Sequence, residues 1–73
     1  MTNSETTRTE LLAALSELSQ LHPNWRLGQM LANLATTAGR LNPGGVWDLE
    51  DDEALSAARE LLHQKAEIER VSA

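Results

Sequence analysis

Two proline-containing breaks divide this 73-residue sequence into three segments, each with the spacing of apolar residues typical of an α-helix. His22-Pro23 forms the first break, and Asn42-Pro43-Gly44-Gly45 forms the second. A proline disfavours helical backbone in the residue before it and cannot donate a hydrogen bond to the preceding turn. The sequence therefore predicts an all-α, three-helix domain. We expect helices 1 and 2 to form an antiparallel hairpin and helix 3 to pack across them after a Pro/Gly loop.

We predict a single helical domain over residues 1–73, with a disordered N-terminus at 1–6 and helices at about 8–21, 25–40 and 50–70. Thr7 and Glu10 fit a capping box at the start of helix 1. Asn24 can cap helix 2, and either Asp48 or Asp51 can cap helix 3. The apolar residues expected to be buried recur at helical spacing: Leu11, Ala14, Leu15, Leu18 and Leu21; then Leu27, Leu31, Leu34, Ala38 and Leu41, with Met30 at the edge; then Leu55, Ala58, Leu61, Leu62 and Ile68.

Gly28 lies inside predicted helix 2, where a glycine costs about 1 kcal/mol relative to alanine. One interpretation is that a large group packs closely over it; the other is that the glycine is merely tolerated. Val46-Trp47 follows the second break and is predicted to be extended. If this segment folds back over the helices, Trp47 covers Gly28 and Ala32.

The candidate site surrounds these breaks and combines tryptophans, amides and charges: Trp25, Arg26, Gln29, Asn33, Trp47, Asp48, Asp51 and Asp52. We expect Arg26 to form a charge-assisted pair with one of the aspartates at the start of helix 3. Such a pair is either a structural clamp that fixes the loop or a recognition patch for another protein. Trp25 likewise either packs in the core or serves as an exposed anchor for a partner.

The sequence has eleven acidic and six basic residues, so its net charge of −5 repels phosphate backbones, and no nucleic-acid partner is expected. It contains no cysteine, which fits a reducing compartment, and we predict a cytoplasmic location. No apolar run approaches about 18 residues, and the polar start does not look like a signal peptide. No membrane association is therefore expected.

The acidic run after Trp47 superficially resembles the start of a calcium loop. An EF-hand loop beginning at Asp48 needs glycine at its sixth position and glutamate at its twelfth, whereas Glu53 and Arg59 stand there. No HExxH motif, nucleophile motif or phosphate-binding loop is present. The sequence predicts no catalytic residues, no metal site and no cofactor.

The segment PNWRLGQMLANLA followed by WDLEDDEAL resembles a pattern found in short bacterial proteins of uncharacterised function. The matching residues are Pro23, Arg26, Gly28, Gln29, Asn33, Trp47, Asp48, Glu50, Asp51, Glu53 and Leu55. The match covers about half of the chain. The resemblance implies a small helical protein of the bacterial cytoplasm and implies no activity.

These features favour a non-catalytic protein–protein interaction, accessory or regulatory module. Its partner is either another protein or a second copy in a homodimer. The alternative is an antitoxin-like or immunity-like protein, which would block a basic target by charge complementarity, or a regulator associated with nucleic acid.

Overall fold

Three α-helices make up the regular structure of the computed structural model, which describes residues 4–42 and 44–72, with side chains for residues 5–42 and 44–65. Helix α1 spans Ser4–Leu21, α2 spans Leu27–Thr37 and α3 spans Asp51–Ser72. No strand occurs within the described ranges. The predicted all-α, three-helix fold is confirmed. None of these helices is both long enough and apolar enough to cross a membrane, within the residues searched.

Helix α1 begins at Ser4, four residues before the predicted start. Thr7 and Glu10 therefore lie inside the helix, and the predicted capping box at that position is wrong. Residues 4–6, which we expected to be disordered, are helical, whereas residues 1–3 lie outside the described residues. The helix still ends at Leu21, just before the His22-Pro23 break, as the proline predicts.

Helix α2 is shorter than predicted. It is preceded by Arg26, whose backbone is extended (φ −77°, ψ 154°) and whose side chain makes no capping hydrogen bond, so the predicted cap at Asn24 is wrong. Gly28 is exposed, and a Cβ atom built there would have no neighbouring atom within 4 Å. The prediction that a large group packs over Gly28 is therefore wrong.

Helix α3 begins one residue later than predicted, and its start is capped by neither Asp48 nor Asp51. The carbonyl of Glu50 accepts the first helical hydrogen bond, from the amide of Ala54 at 2.9 Å. The Glu50 amide donates to Oε1 of Glu53 at 3.2 Å, which is the returning half of a capping box. The carboxylates in the first turn are also favoured by the helix dipole.

The core forms where α1 and α2 each pack against α3; α1 and α2 contact each other least. Three alanines on α3 (Ala54, Ala57 and Ala58) allow close approach of the neighbouring helices, and two of them were missing from the predicted core. The buried core residues are Leu11, Ala14, Leu18, Met30, Leu34, Ala54, Leu55, Ala57 and Ala58. Leu15, Leu31, Ala38, Leu61 and Leu62 pack against them and are partly buried, and the side chain of Ile68 lies outside the described residues.

Leu21, assigned to the buried face of helix 1, is exposed at the last residue of α1, and two leucines assigned to the buried face of helix 2 are exposed as well. Leu27 is 66% exposed in the first turn of α2, and Leu41 is 78% exposed beyond its end. Both predictions are wrong: Leu41 lies beyond the end of α2, which has only 11 residues, and Leu27, although helical, is the first residue of α2 and does not reach the core. Met30 takes the central place in this stripe, with only 2% of its surface exposed.

Candidate functional site

The segment from Ala38 to Glu50 joins α2 to α3 and carries most of the unusual residues; we call it the Trp47 loop. Its second residue is a glycine in the left-handed region, Gly39 (φ +89°). The Gly39 amide donates to the Thr36 carbonyl at 3.0 Å, and the Arg40 amide donates to the Ala35 carbonyl at 2.8 Å. These two bonds form a Schellman motif, which ends the helix and directs Arg40 away from it.

Arg40 and Glu53 connect the two ends of the loop. Nη2 of Arg40 donates to both carboxylate oxygens of Glu53, at 2.8 and 3.1 Å. These hydrogen bonds, together with the one from the Glu50 amide, hold the pKa of Glu53 below its ordinary value. The pKa of Arg40 is raised mainly by its hydrogen bond and charge interaction with Glu53, and further by the charges of Asp48 and Glu50. The Arg40 guanidinium thus contacts Glu53 directly and feels the charges of Asp48 and Glu50 at longer range.

The middle of the loop is a compact turn. The Gly45 amide donates to the Asn42 carbonyl at 2.8 Å, and the Trp47 amide donates to the Gly44 carbonyl at 3.1 Å. Gly45 is buried, and a Cβ atom there would lie 2.8 Å from Cβ of Arg40 and 2.9 Å from its carbonyl oxygen. The turn therefore requires glycine at this position, and the prediction of an extended Val46-Trp47 segment is wrong.

Trp47 projects from this turn into solvent and is 92% exposed. Leu49, two residues later, is partly buried and packs against the core. Leu41 and Val46 are also exposed, at 78% and 42%. Trp47 does not cover Gly28 or Ala32, both of which are exposed, so that prediction is wrong. Instead it is the most exposed of three exposed apolar side chains of the Trp47 loop, those of Leu41, Val46 and Trp47, which we group as the apolar surface of the loop.

Acidic side chains follow Trp47 directly, at the start of α3. Oδ2 of Asp51 accepts a hydrogen bond from Nε of Arg8 at 2.8 Å, an interaction that raises the pKa of Arg8 and ties the start of α1 to the start of α3. A groove of about 560 Å³ is found here, lined by Thr7 and Arg8 of α1 and by residues 47–52. Asp48, Glu50 and Asp52 are exposed, and none of their carboxylates forms an ion pair within the part of the chain that is described.

The predicted pairing of Arg26 with these acids is wrong. The guanidinium of Arg26 has no hydrogen-bond or ion-pair partner among the described residues, and the arginine partners of the acids come from elsewhere: Arg8 for Asp51 and Arg40 for Glu53. Gln29 is exposed and Asn33 partly buried on α2. These residues of helix 2 therefore do not form one site with Asp48, Asp51 and Asp52.

Trp25 has a different environment from Trp47. It is partly buried, packs against the core, and its ring stacks on that of His22 with centroids 3.9 Å apart and an interplanar angle of 6°. Of the two interpretations of Trp25, packing in the core agrees with this position and an exposed anchor does not. Trp25 therefore contributes to the packing of the core, whereas Trp47 does not.

A further exposed ion pair joins α1 to α3. Nη2 of Arg59 on α3 lies 3.3 Å from Oε2 of Glu10 on α1. No charged side chain is buried among the described residues, and no group of acids and histidines there is arranged to hold a metal ion. No family model, curated protein or solved structure matches this sequence.

Proposed function

We propose that this chain is a non-catalytic protein-interaction module that docks its partner through the apolar surface of Leu41, Val46 and Trp47. The observation that supports this proposal most directly is that Trp47 is 92% exposed on a loop that is fixed at both ends. Tryptophan is enriched among the residues that dominate binding energy at protein interfaces. Because the backbone around Trp47 is already ordered by a turn, binding incurs a smaller loss of conformational entropy.

The charges of the protein support an interaction role better than a catalytic one. Arg8, Arg40 and Arg59 each pair with a carboxylate at exposed positions. Such pairs connect elements of the fold, whereas a catalytic acid or nucleophile needs a shielded site with convergent groups. The proposal includes an accessory or regulatory role in the bacterial cytoplasm, supported by the cysteine-free sequence and by the resemblance to short bacterial proteins.

A nucleic-acid-associated regulator is less well supported. Such a protein would present Arg8, Arg26 and Arg40 to phosphates on one surface. Arg8 and Arg40 instead donate to Asp51 and Glu53, so a carboxylate already offsets the positive charge of each. The antitoxin-like alternative remains compatible with the same surface, because it differs only in the identity of the protein bound.

Replacement of Trp47 tests the proposed function, and Leu27→Ala is its matched control because Leu27 is also an exposed apolar residue but lies on α2. Wild type, Trp47→Ala and Leu27→Ala are immobilised and exposed to a lysate of the source organism, with bound proteins identified by mass spectrometry. Sedimentation velocity measures self-association of the same three proteins. We expect an interaction, with a lysate protein or a second copy, that is kept by Leu27→Ala and lost by Trp47→Ala. Identical binding and sedimentation of wild type and Trp47→Ala would refute the proposal.

A further inference from the structure

We propose, building on the interaction role above, that the partner of the Trp47 loop is a basic protein segment whose arginine or lysine side chains contact the Trp47 ring. Binding of this kind needs an exposed aromatic face and, beside it, exposed carboxylates that form no ion pair. The loop supplies both.

The carboxylates beside Trp47 outnumber the cations available to them. Five acids follow Trp47 within residues 48–53, and two of them are already paired, Asp51 with Arg8 and Glu53 with Arg40. Three exposed carboxylates remain: those of Asp48, Glu50 and Asp52. The negative potential at this end of the molecule therefore attracts a cationic partner and raises its association rate.

The Trp47 ring provides the second part of the site. Tryptophan is the best cation–π acceptor among the aromatic side chains, and arginine is the commoner cation in such contacts. An arginine or lysine can lay its aliphatic stem against the ring while its charged end reaches a carboxylate. The groove of about 560 Å³, which Thr7, Arg8 and residues 47–52 line, gives an extended segment room to lie beside the ring.

A second copy of this chain fits the surface less well. A symmetric dimer through Trp47 would place Asp48, Glu50 and Asp52 close to the same residues of the other copy. Each chain also carries a net charge of −5. The resulting repulsion opposes self-association through this surface but favours a basic partner.

The test uses two synthetic probes: a short arginine-rich peptide, and the same peptide with citrulline, a neutral isostere, in place of arginine. Since the sequence contains only two tryptophans, an ¹⁵N-correlation spectrum contains two indole N–H signals, and Trp47→Ala assigns them. We expect the arginine peptide to shift the Trp47 indole and the amides of residues 48–52, with Trp25 as an internal reference. Affinity should fall with added salt, and Trp47→Ala should weaken it by about 3- to 30-fold.

Asp48→Asn and Glu17→Gln each remove one exposed negative charge, the first beside Trp47 and the second on α1. Asp48→Asn should weaken binding of the arginine peptide more than Glu17→Gln does. Equal effects of these two variants, equal binding of the citrulline peptide, or Trp47-dependent self-association in place of peptide binding would each overturn the proposal. If the arginine peptide fails to bind but Trp47→Ala still abolishes the interaction found in the capture or sedimentation experiment, only the basic partner is refuted, and the interaction role stands.

Discussion

Truncation of the two tryptophans separates residues that stabilise the fold from residues that are free to bind. A tryptophan packed in a core removes about 150–250 Å² from water. Because Trp47 is 92% exposed, Trp47→Ala changes the buried area by only about 20 Å². At about 25 cal/mol per Å², the loss is about 0.5 kcal/mol of unfolding free energy.

Trp25 provides the contrast, because it packs against the core and stacks on His22. A fully buried tryptophan costs about 3–5 kcal/mol when truncated to alanine. Trp25 is partly buried, so Trp25→Ala should cost somewhat less than that range but several times more than Trp47→Ala. Against a total stability of roughly 0.05–0.15 kcal/mol per residue, this loss is a large fraction of the whole.

Thermal unfolding followed by far-UV circular dichroism measures both changes. In a domain of this size 1 kcal/mol corresponds to about 4–8 °C in Tm, so Trp47→Ala should lower Tm by no more than about 4 °C. Trp25→Ala should lower it by more than about 8 °C. Comparable losses in the two variants would mean that Trp47 packs against the helices, and would refute the assignment of Trp47 to an exposed binding surface.

Three further substitutions test the local structure. Gly28→Ala should raise the free energy of unfolding by up to about 1 kcal/mol in urea titrations, because the added methyl group meets no atom and favours the helix; a loss of stability would restore the close-packing interpretation. Gly45→Ala should destabilise by about 1–3 kcal/mol because its Cβ would lie 2.8 Å from Cβ of Arg40, whereas Gly44→Ala, with no neighbour within 4 Å, is the tolerated control; equal effects would contradict the close contact. The lowered pKa of Glu53 adds stability that is present above the ordinary value of 4.5 and is lost as the pH falls through the folded-state pKa, so Glu53→Gln should show a smaller decline in Tm on acidification than wild type, and parallel Tm profiles would refute this contribution.

The helices were predictable because they depend on local patterns. The apolar stripe of α1 and the acidic first turn of α3 depend on residues three or four positions apart, which periodicity detects. The start of α1 was missed because residues 4–6 carry no apolar stripe. The alanines Ala54 and Ala57 were missed because a small apolar residue contributes little to such a stripe, although it sets how closely helices approach.

The loop was not predictable in the same way, because its contacts join residues distant in sequence. Five arginines and eleven acids allow many pairings, and neither local spacing nor charge distinguishes Arg26 from Arg8 or Arg40. One local signal was available. A glycine near the end of a predicted helix is the usual C′ residue, and reading Gly39 in that way places the C-cap of α2 at Ala38 and Arg40 in the loop.

The fold itself does not require a tryptophan at position 47. The loop is fixed by the Arg40–Glu53 pair, by the close approach at Gly45 and by Leu49 against the core, so none of its anchors involves the indole ring. The ring is also the largest apolar side chain that the described residues leave in water. Its removal should therefore leave the loop in place while deleting the surface, which makes binding and folding separable by a single substitution. A side chain with this property is best explained by what it contacts outside the chain, and the carboxylates beside it favour a positively charged contact.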